Sequence, residues 1–388
     1  MAAAALIAGA MVAVGAACGA GTQDIAPELE PAPSTPSMEI DVSLGPAIRS
    51  EAAAHFLPLM DEGWQAQPVA AYKDRFLVGE TKVDREADSA TQRFVIWDPA
   101  TGARQPAWYG ETGRQDIVAG MAGDTAVYVR TGLSLPFAEW SLEARNLVTG
   151  ETQTIAQSRP EVASDPNVQP EPPFGLAPHP VVSGGKIAWA EYVWRNGGTN
   201  REVRMHDLAT GWTVTLGAIP TGRGEQLDSV ALGGNRAAWV HWGADGTARM
   251  VVHDLTSGAE TPLDLDAKPF ALALDDRGQT LAWDDSRGGK YSVRIDGSTP
   301  QRFAGDEGWG VVASGSRFSW APAAAYGGTG GFFDLATGEL RLVTRKPHVQ
   351  VNYAAVLGGT FTWQELTTGA DGAANEAKSG YYFMPLGT

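Results

Sequence analysis

The sequence predicts an all-β fold, a β-propeller built from four-stranded antiparallel sheets, and three observations lead to this prediction. The 388 residues include 47 Gly and 24 Pro, which favour short strands and tight turns over long helices. One pattern recurs along the chain: an apolar strand with a Gly-containing turn, a strand with a central aromatic residue, and a third strand ending in a turn of the type Asp-Leu-Ala-Thr-Gly. The repeating unit is roughly forty to sixty residues long, as in propellers, whose blades bury their faces against one another.

The first seventeen residues have the composition of an export signal. Residues 1–17 are small and apolar without interruption, and they are too few and too rich in alanine for a membrane span. Cys18, the single cysteine, follows Gly15-Ala16-Ala17 in an arrangement that resembles the lipobox of bacterial lipoproteins. Gly15 replaces the usual branched aliphatic residue, and no Lys or Arg precedes the apolar run. The resemblance implies an acylated Cys18; a secretory signal with a chance cysteine is the alternative.

The segment after the cysteine is predicted to be an extended tether. Residues 22–37, TQDIAPELEPAPSTPS, are rich in Pro and acidic side chains, which prevent collapse into a core. We therefore divide the chain into an export signal (1–17), an acylated cysteine with its tether (18–37) and a propeller domain (38–388). Because more than one acyl chain can hold a protein at a bilayer, the predicted location is extracytoplasmic, at the bacterial cell membrane.

The repeat divides the propeller domain into seven units. Their inner strands, called A, are predicted at 69–72, 117–122, 180–183, 229–232, 271–275, 310–314 and 353–357. The second strands, called B, carry aromatic residues that would fill the gaps between blades: Phe76 as a looser first member, then Tyr128, Trp189, Trp239, Trp283, Trp320 and Trp363. The third strands, called C, end in turns at 98–102, 146–150, 207–211, 254–258, 296–297 and 334–338. Gly, Asn and Asp in these turns supply the positive φ that tight hairpins require.

The seventh unit has no closing turn, so its outer strand must come from another part of the chain. An open sheet edge invites aggregation, and an N-terminal strand such as 38–42 would close the ring. The prediction is therefore seven blades closed by an N-terminal strand. A six-bladed ring with an accessory N-terminal hairpin is the alternative.

The fifth unit carries the most specific resemblance to a known family. Residues 275–283, DDRGQTLAW, and 284–289, DDSRGG, resemble the repeat of TolB-like propellers, while the D-L-A-T-G turns of the other, more generic units resemble bacterial quinoprotein-like and TolB-like repeats alike. The resemblance, to a TolB-like or WD40-like propeller, covers the chain from about Val69 onward at the level of the repeat pattern. The TolB-like family includes periplasmic scaffolds that bind other envelope proteins, so the resemblance implies an interaction role without identifying a partner.

Charge and cysteine content exclude several classes of function. The formal net charge of −16 repels phosphate backbones, so nucleic acid is excluded as the main partner. One cysteine permits no intramolecular disulfide and no multi-thiolate metal site. No cofactor and no metal are predicted, and the protein is expected to be a monomer that is more consistent with a binding protein than with an enzyme.

Candidate binding residues are predicted on the face that carries the B-to-C loops and the loops leading to the next blade. Loops on a rigid scaffold are common binding positions. The candidates are Asp116, His179, Asp228, Trp309 and Asn352 at the starts of A strands, His348 near them, Asp284 and Arg287 in a polar loop, and Trp194, Trp242 and Trp309 as aromatic platforms. Structural explanations stay open for each: strand capping for His179, a solvated turn for Asp284 and Arg287, and packing between blades for the tryptophans.

Three functions remain in competition. The first is a non-catalytic, lipid-anchored propeller that binds a protein or an envelope component through its loops. The second is a carbohydrate- or small-ligand-binding protein in which Trp194, Trp242 or Trp309 stacks on the ligand. The third is a hydrolase or lyase that uses Asp116, His179 and Asp228. No catalytic motif supports the third.

Overall fold

The protein is a β-propeller of seven blades. The computed structural model describes residues 43–84, 89–133, 137–168, 175–263, 268–286, 289–305, 308–322, 329–344, 346, 349–368, 375 and 378–386. The predicted signal, the tether and the strand proposed at 38–42 lie outside the described residues. Within them, no helix has the length and hydrophobicity needed to cross a bilayer.

The strands follow the chain around the ring, from the innermost strand A to the outermost strand D of each blade. Blade one contains β4 (Trp64–Tyr72), β5 (Arg75–Asp84), β6 (Ser89–Trp97) and β7 (Arg104–Tyr109), with β3 (Met60–Asp61) added beside β4. Blade two contains β8 (Arg114–Ala122), β9 (Thr125–Gly132), β10 (Trp140–Asn146) and β11 (Thr152–Gln157). A short helix, α1 (Pro160–Ala163), precedes blade three, which contains β12 (Val181–Ser183), β13 (Lys186–Arg195), β14 (Gly198–Asp207) and β15 (Thr213–Pro220).

The remaining four blades repeat this arrangement. Blade four contains β16 (Gln226–Gly233), β17 (Arg236–Trp242), β18 (Ala248–Asp254) and β19 (Glu260–Leu263). Blade five contains β20 (Pro269–Leu274), β21 (Thr280–Asp285), β22 (Lys290–Arg294) and β23 (Gln301–Ala304). Blade six contains β24 (Gly308–Ser314), β25 (Arg317–Pro322), β26 (Gly331–Asp334) and β27 (Glu339–Leu342), and blade seven contains β28 (Val349–Leu357), β29 (Thr360–Thr367) and β30 (Gly380–Pro385).

Two N-terminal strands complete the ring. The outer strand of blade seven is β2 (His55–Pro58), which pairs antiparallel with β30. The strand β1 (Ser43–Leu44) adds to the outer edge of blade six, parallel to β27. The prediction of seven blades closed by an N-terminal strand is therefore confirmed, and the closing strand is 55–58, later in the chain than the predicted 38–42.

The hydrophobic core is divided into seven clusters, and each cluster joins two neighbouring blades. The cluster between blades seven and one contains the fully buried Leu57 of β2, so the N-terminal strand contributes to the core as well as to the sheet. Six B strands place an aromatic residue at their fourth position, and all six are buried as predicted. In blade one that position is Val78, while Phe76 lies two residues earlier and packs against Phe383.

The closing turns behave as their residue types predict. In blade four, Oδ1 of Asp254 accepts hydrogen bonds from the backbone N–H groups of Thr256 and Ser257 at 3.0 and 2.8 Å. Gly258 then adopts a φ of +72°, which the absence of a Cβ permits. Blade two uses Asn146 in the same way, so the turn needs a side-chain acceptor but not a charge.

Candidate functional site

The loop face, defined as the side that carries the B-to-C loops and the loops from strand D to the next strand A, contains most of the candidate residues. Asp116 and Asp228 occupy the third position of β8 and β16, close to this face. Six of the seven A strands have a β-bulge or register shift, the exception being β12, and in β16 the shift follows Asp228 directly. β-Bulges often change the direction of side chains next to functional sites, so the residues near the bulges of the A strands are the first to examine.

Asp116 is part of the junction between blades one and two. Its carboxylate accepts two hydrogen bonds from Arg130, at 2.7 and 3.0 Å, and one from the indole N–H of Trp108 at 3.1 Å. The ion pair raises the pKa of the Arg130 guanidinium above its ordinary value. The side-chain amide of Gln92 also bonds to the backbone of Asp116 in both directions. Because Asp116 is only 3% exposed and fully engaged, its contacts are structural.

His179, Asp228 and Arg201 form a second polar group, at the junction of blades three and four. His179 is exposed as a whole residue, while desolvation of its imidazole by the surrounding protein atoms lowers its pKa to about 4. The Asp228 carboxylate opposes this shift and the Arg201 guanidinium adds to it. Arg201 is itself held by the carbonyl of Leu227 at 2.9 Å. The imidazole is therefore neutral at physiological pH.

The bulge of β16 holds Asp228 in a local turn. Its Oδ1 accepts a hydrogen bond from the N–H of Ser229 at 2.7 Å, and Ser229 has a φ of +51°. A positive φ is uncommon for serine, and such strain is concentrated at binding and catalytic sites. The Ser229 hydroxyl donates to the carbonyl of Phe270 at 2.7 Å and thus connects blade four to blade five. This bond explains how the strained conformation is maintained.

Asn352 lies at the bulge of β28, in blade seven. Its Oδ1 is buried and has no hydrogen-bond partner among the described residues. The contacts of Asp116 lie at the junction of blades one and two, and those of His179 and Asp228 at the junction of blades three and four. The joint catalytic role of Asp116, His179 and Asp228 stays a prediction.

Asp284 is a buried strand residue, which corrects both its assignment to a binding loop and the alternative of a solvated turn. It belongs to β21 and is 3% exposed. The ammonium group of Lys290, itself fully buried, lies 3.4 Å from its Oδ1 and donates to the carbonyl of Gly308 at 2.6 Å. The same ammonium lies 5.8 Å from the ring centroid of Trp320, a cation–π distance. The group links blade five to blade six.

Several candidates lie outside the described residues. These are Cys18, Arg287 and His348, together with the side chain of Trp309, whose backbone belongs to β24. Their roles remain predictions.

The two remaining tryptophan candidates, Trp242 and Trp194, have different surroundings. Trp242 packs against the hydrophobic cluster between blades four and five, as the packing alternative predicted. Trp194, at the end of β13, is 36% exposed and lines an open cleft of about 710 Å³. The cleft lies on the loop face of blade three, between residues 160–167, residues 194–200 and residues 220–221. Among the candidates with described side chains, Trp194 is the one that lines this cleft.

A set of buried or half-buried polar residues in the B strands escaped the sequence-based prediction. The residue two positions after the central aromatic is Arg130, Glu191, His241, Asp285 or Glu365 in five blades, and blade one has Glu80 at the same place. Arg204 donates to Glu191 at 2.6 Å and Arg93 to Glu80 at 2.5 Å. Burial raises the pKa of Glu191, and Arg204 opposes this shift. Strings such as YVR, WAE and WQE contained this signal.

Metal ligands do not cluster in the part of the chain that is described: no group of three or more His, Cys, Asp or Glu side chains is placed to hold an ion. Many of the described ion pairs join neighbouring strands of one blade, such as Arg130–Asp116 and Arg204–Glu191. The cleft beside Trp194 is an open site on the loop face.

Comparison with known proteins supports the architecture. No protein-family model matches the chain, and no curated protein sequence matches it. An oligogalacturonate lyase solved in complex with manganese is similar, with a TM-score of 0.57, 11% identity, and coverage of 90% of this chain and 98% of the lyase. The β-propeller domain of the Trilobed protease from Pyrococcus furiosus has a TM-score of 0.52 at 10% identity, over 81% of this chain and 92% of that one.

TolB from Acinetobacter baumannii is also among the similar structures. Its TM-score is 0.40 at 14% identity, over 79% of this chain and 82% of TolB. The lyase and the protease propeller domain, at 11% and 10% identity, show the propeller fold alone. A propeller fold does not by itself imply a function.

Proposed function

We propose that this protein is a non-catalytic, lipid-anchored propeller on the outside of a bacterial cell membrane, and that it binds an envelope component through its loop face. The observation that carries the proposal is the open cleft of about 710 Å³ beside Trp194. By contrast, Asp116, one of the three residues of the enzyme hypothesis, is engaged in an ion pair with Arg130. A carboxylate that neutralises a neighbouring cation is poorly placed to exchange protons with a substrate.

The binding role can be tested by site-specific photo-crosslinking in cells. A photoreactive amino acid is placed at Asn200, which lines the cleft, and a matched control is placed at Thr256, in the closing turn of blade four on the opposite face. We expect a discrete crosslinked species from position 200 and none from position 256. Equal crosslinking from both positions, or from neither, would contradict binding through the loop face.

The anchor is tested separately. Metabolic labelling with a fatty acid should mark the natural protein and leave Cys18→Ala unlabelled. Labelling of both proteins, or of neither, would remove the lipoprotein assignment. The outcome does not affect the cleft, because Cys18 lies outside the propeller domain.

A further inference from the structure

The cleft beside Trp194, called the blade-three cleft, is built by three segments that hydrogen bonds hold together. Oδ2 of Asp165 accepts a hydrogen bond from the hydroxyl of Thr199 at 2.5 Å, which joins the segment after α1 to the hairpin of β13 and β14. The hydroxyl of Thr221 donates to the carbonyl of Thr199 at 2.8 Å, which adds the end of β15. Asn167 donates to Oδ1 of Asp165 through its backbone and side-chain N–H groups, at 2.9 and 3.0 Å. The cleft is therefore preformed, which reduces the entropy lost on binding.

The charge of the cleft restricts its ligand. Its lining contains two carboxylates, those of Glu161 and Asp165, and neither Lys nor Arg. Hydrogen bonds from Thr199 and Asn167 lower the pKa of Asp165, so this group is ionised at neutral pH. The nearest arginine in the hairpin, Arg195, is bound to Glu202. A polyanionic ligand would be repelled from such a surface.

The polar and aromatic composition indicates a polyol. Amide groups of Asn167 and Asn200 lie beside hydroxyl groups of Ser164, Thr199 and Thr221 in the lining. The three hydroxyl groups donate to protein acceptors and keep lone pairs that can accept, while the amide of Asn167 keeps a second N–H to donate. Acceptors and amide donors side by side match the hydroxyls of a sugar. Such groups recognise neutral ligands without the desolvation cost of a buried ion pair.

Trp194 provides the apolar surface that such a ligand needs. The indole is 36% exposed although tryptophan is usually well buried. Gly197 and Gly198, which form the adjoining turn, leave open space where a Cβ would stand. A flat ligand can approach the indole there. Stacking of the C–H face of a pyranose ring on the indole would bury apolar surface that is otherwise exposed to water.

We infer that the blade-three cleft binds a neutral oligosaccharide of the cell envelope, with Trp194 stacking on one sugar ring and Asn167 and Asn200 bonding to its hydroxyls. This inference rests on the proposed function, because it names the class of envelope component bound at the loop face. It also predicts that the cleft does not bind polyuronates, because their carboxylates would be repelled by those of Glu161 and Asp165.

The test is isothermal titration calorimetry on the detergent-solubilised full chain. The probes are three neutral hexasaccharides with β1,4-glucose, α1,4-glucose and β1,4-mannose linkages, together with hexagalacturonate and a hexalysine peptide. We expect saturable binding of at least one neutral probe and none of hexagalacturonate. In Trp194→Ala the affinity should fall about tenfold, which corresponds to about 1.4 kcal/mol of lost stacking. Trp212→Ala, which removes an indole that is 75% exposed at a closing turn on the opposite face, should bind as the natural protein does.

Three results would overturn the inference. They are the absence of binding by every neutral probe, stronger binding of hexagalacturonate or hexalysine, and an affinity unaffected by Trp194→Ala. If sugars fail while crosslinking from position 200 succeeds, only the ligand class is wrong. If crosslinking from position 200 also fails, the proposed function is wrong with it.

Discussion

The assignment of Asp116 to a structural role makes a prediction that separates it from a catalytic residue. Replacing Asp116 by Ala removes the partner of Arg130 and leaves the indole N–H of Trp108 without its acceptor. Removal of one partner of a buried ion pair costs about 3–5 kcal/mol. Arg130 keeps 21% of its side chain accessible to water, which compensates part of the loss, so we expect about 3 kcal/mol of destabilisation.

Urea unfolding followed by tryptophan fluorescence measures this loss as a lower midpoint at an unchanged slope. The matched control is Asp228→Ala, because Asp228 occupies the equivalent third position of its A strand. It accepts one backbone hydrogen bond from Ser229, so its loss should cost about 1 kcal/mol. Equal shifts in both variants, or an unchanged midpoint in Asp116→Ala, would refute the reasoning from the ion pair.

Four further outcomes follow from the structure. Trp363→Ala, at a fully buried aromatic position, should lower the free energy of unfolding by about 3–5 kcal/mol in urea titrations, whereas Trp212→Ala should change it by less than about 0.5 kcal/mol. Leu57→Asp places a charge in the junction that closes the ring and should accelerate limited proteolysis of the native protein; an unchanged cleavage rate would show that β2 is dispensable. Backbone hydrogen bonds lower the pKa of Asp254 in the folded state, so its contribution to stability is present above the ordinary value of 3.8 and lost as pH falls through the folded value. Asp254→Asn, which imitates the asparagine turn of blade two, should therefore reduce the stability difference between about pH 5 and pH 2.5, and an unchanged difference would contradict this. The imidazole of His179 should titrate near 4 in NMR spectra instead of near its ordinary 6.5, and a midpoint at the ordinary value would contradict the crowding of that side chain.

Most of the architecture could be predicted because it depends on local and repeated signals. Each repeat carries two signals that can be recognised locally: the aromatic residue of strand B, from Tyr128 to Trp363, and the Asp or Asn of the closing turn. Their recurrence in the next repeat supports the assignment. Closure of the ring by an N-terminal strand was predictable, because the seventh unit lacks an outer strand. Its position was not, because the pairing of His55 with Phe383 depends on residues from opposite ends of the chain and no local pattern encodes it.

The site was less predictable for a different physical reason. A polar residue near the end of a strand has the same sequence signature whether it faces solvent or a cation on the neighbouring strand of its own blade. Asp116 and Asp284 had been candidates for binding, and both are ion-pair partners. Trp194 and Trp242 were equivalent candidates as well. Trp242 packs against the core, whereas Trp194 borders a cleft whose wall, residues 160–167, lies outside the repeat.

The attachment of β1 and β2 to the last two blades has a consequence for the order of assembly. A ribosome or a translocation channel releases the N-terminus first. The strands β1 and β2, which complete the ring, therefore emerge long before blades six and seven, with which they pair. Non-local pairing of this kind is slow, and the partly made ring exposes unpaired edges on both sides of the gap until blade seven has formed. Premature association with other chains is therefore most dangerous in that interval, and a chaperone that covers exposed strand edges would be most useful then.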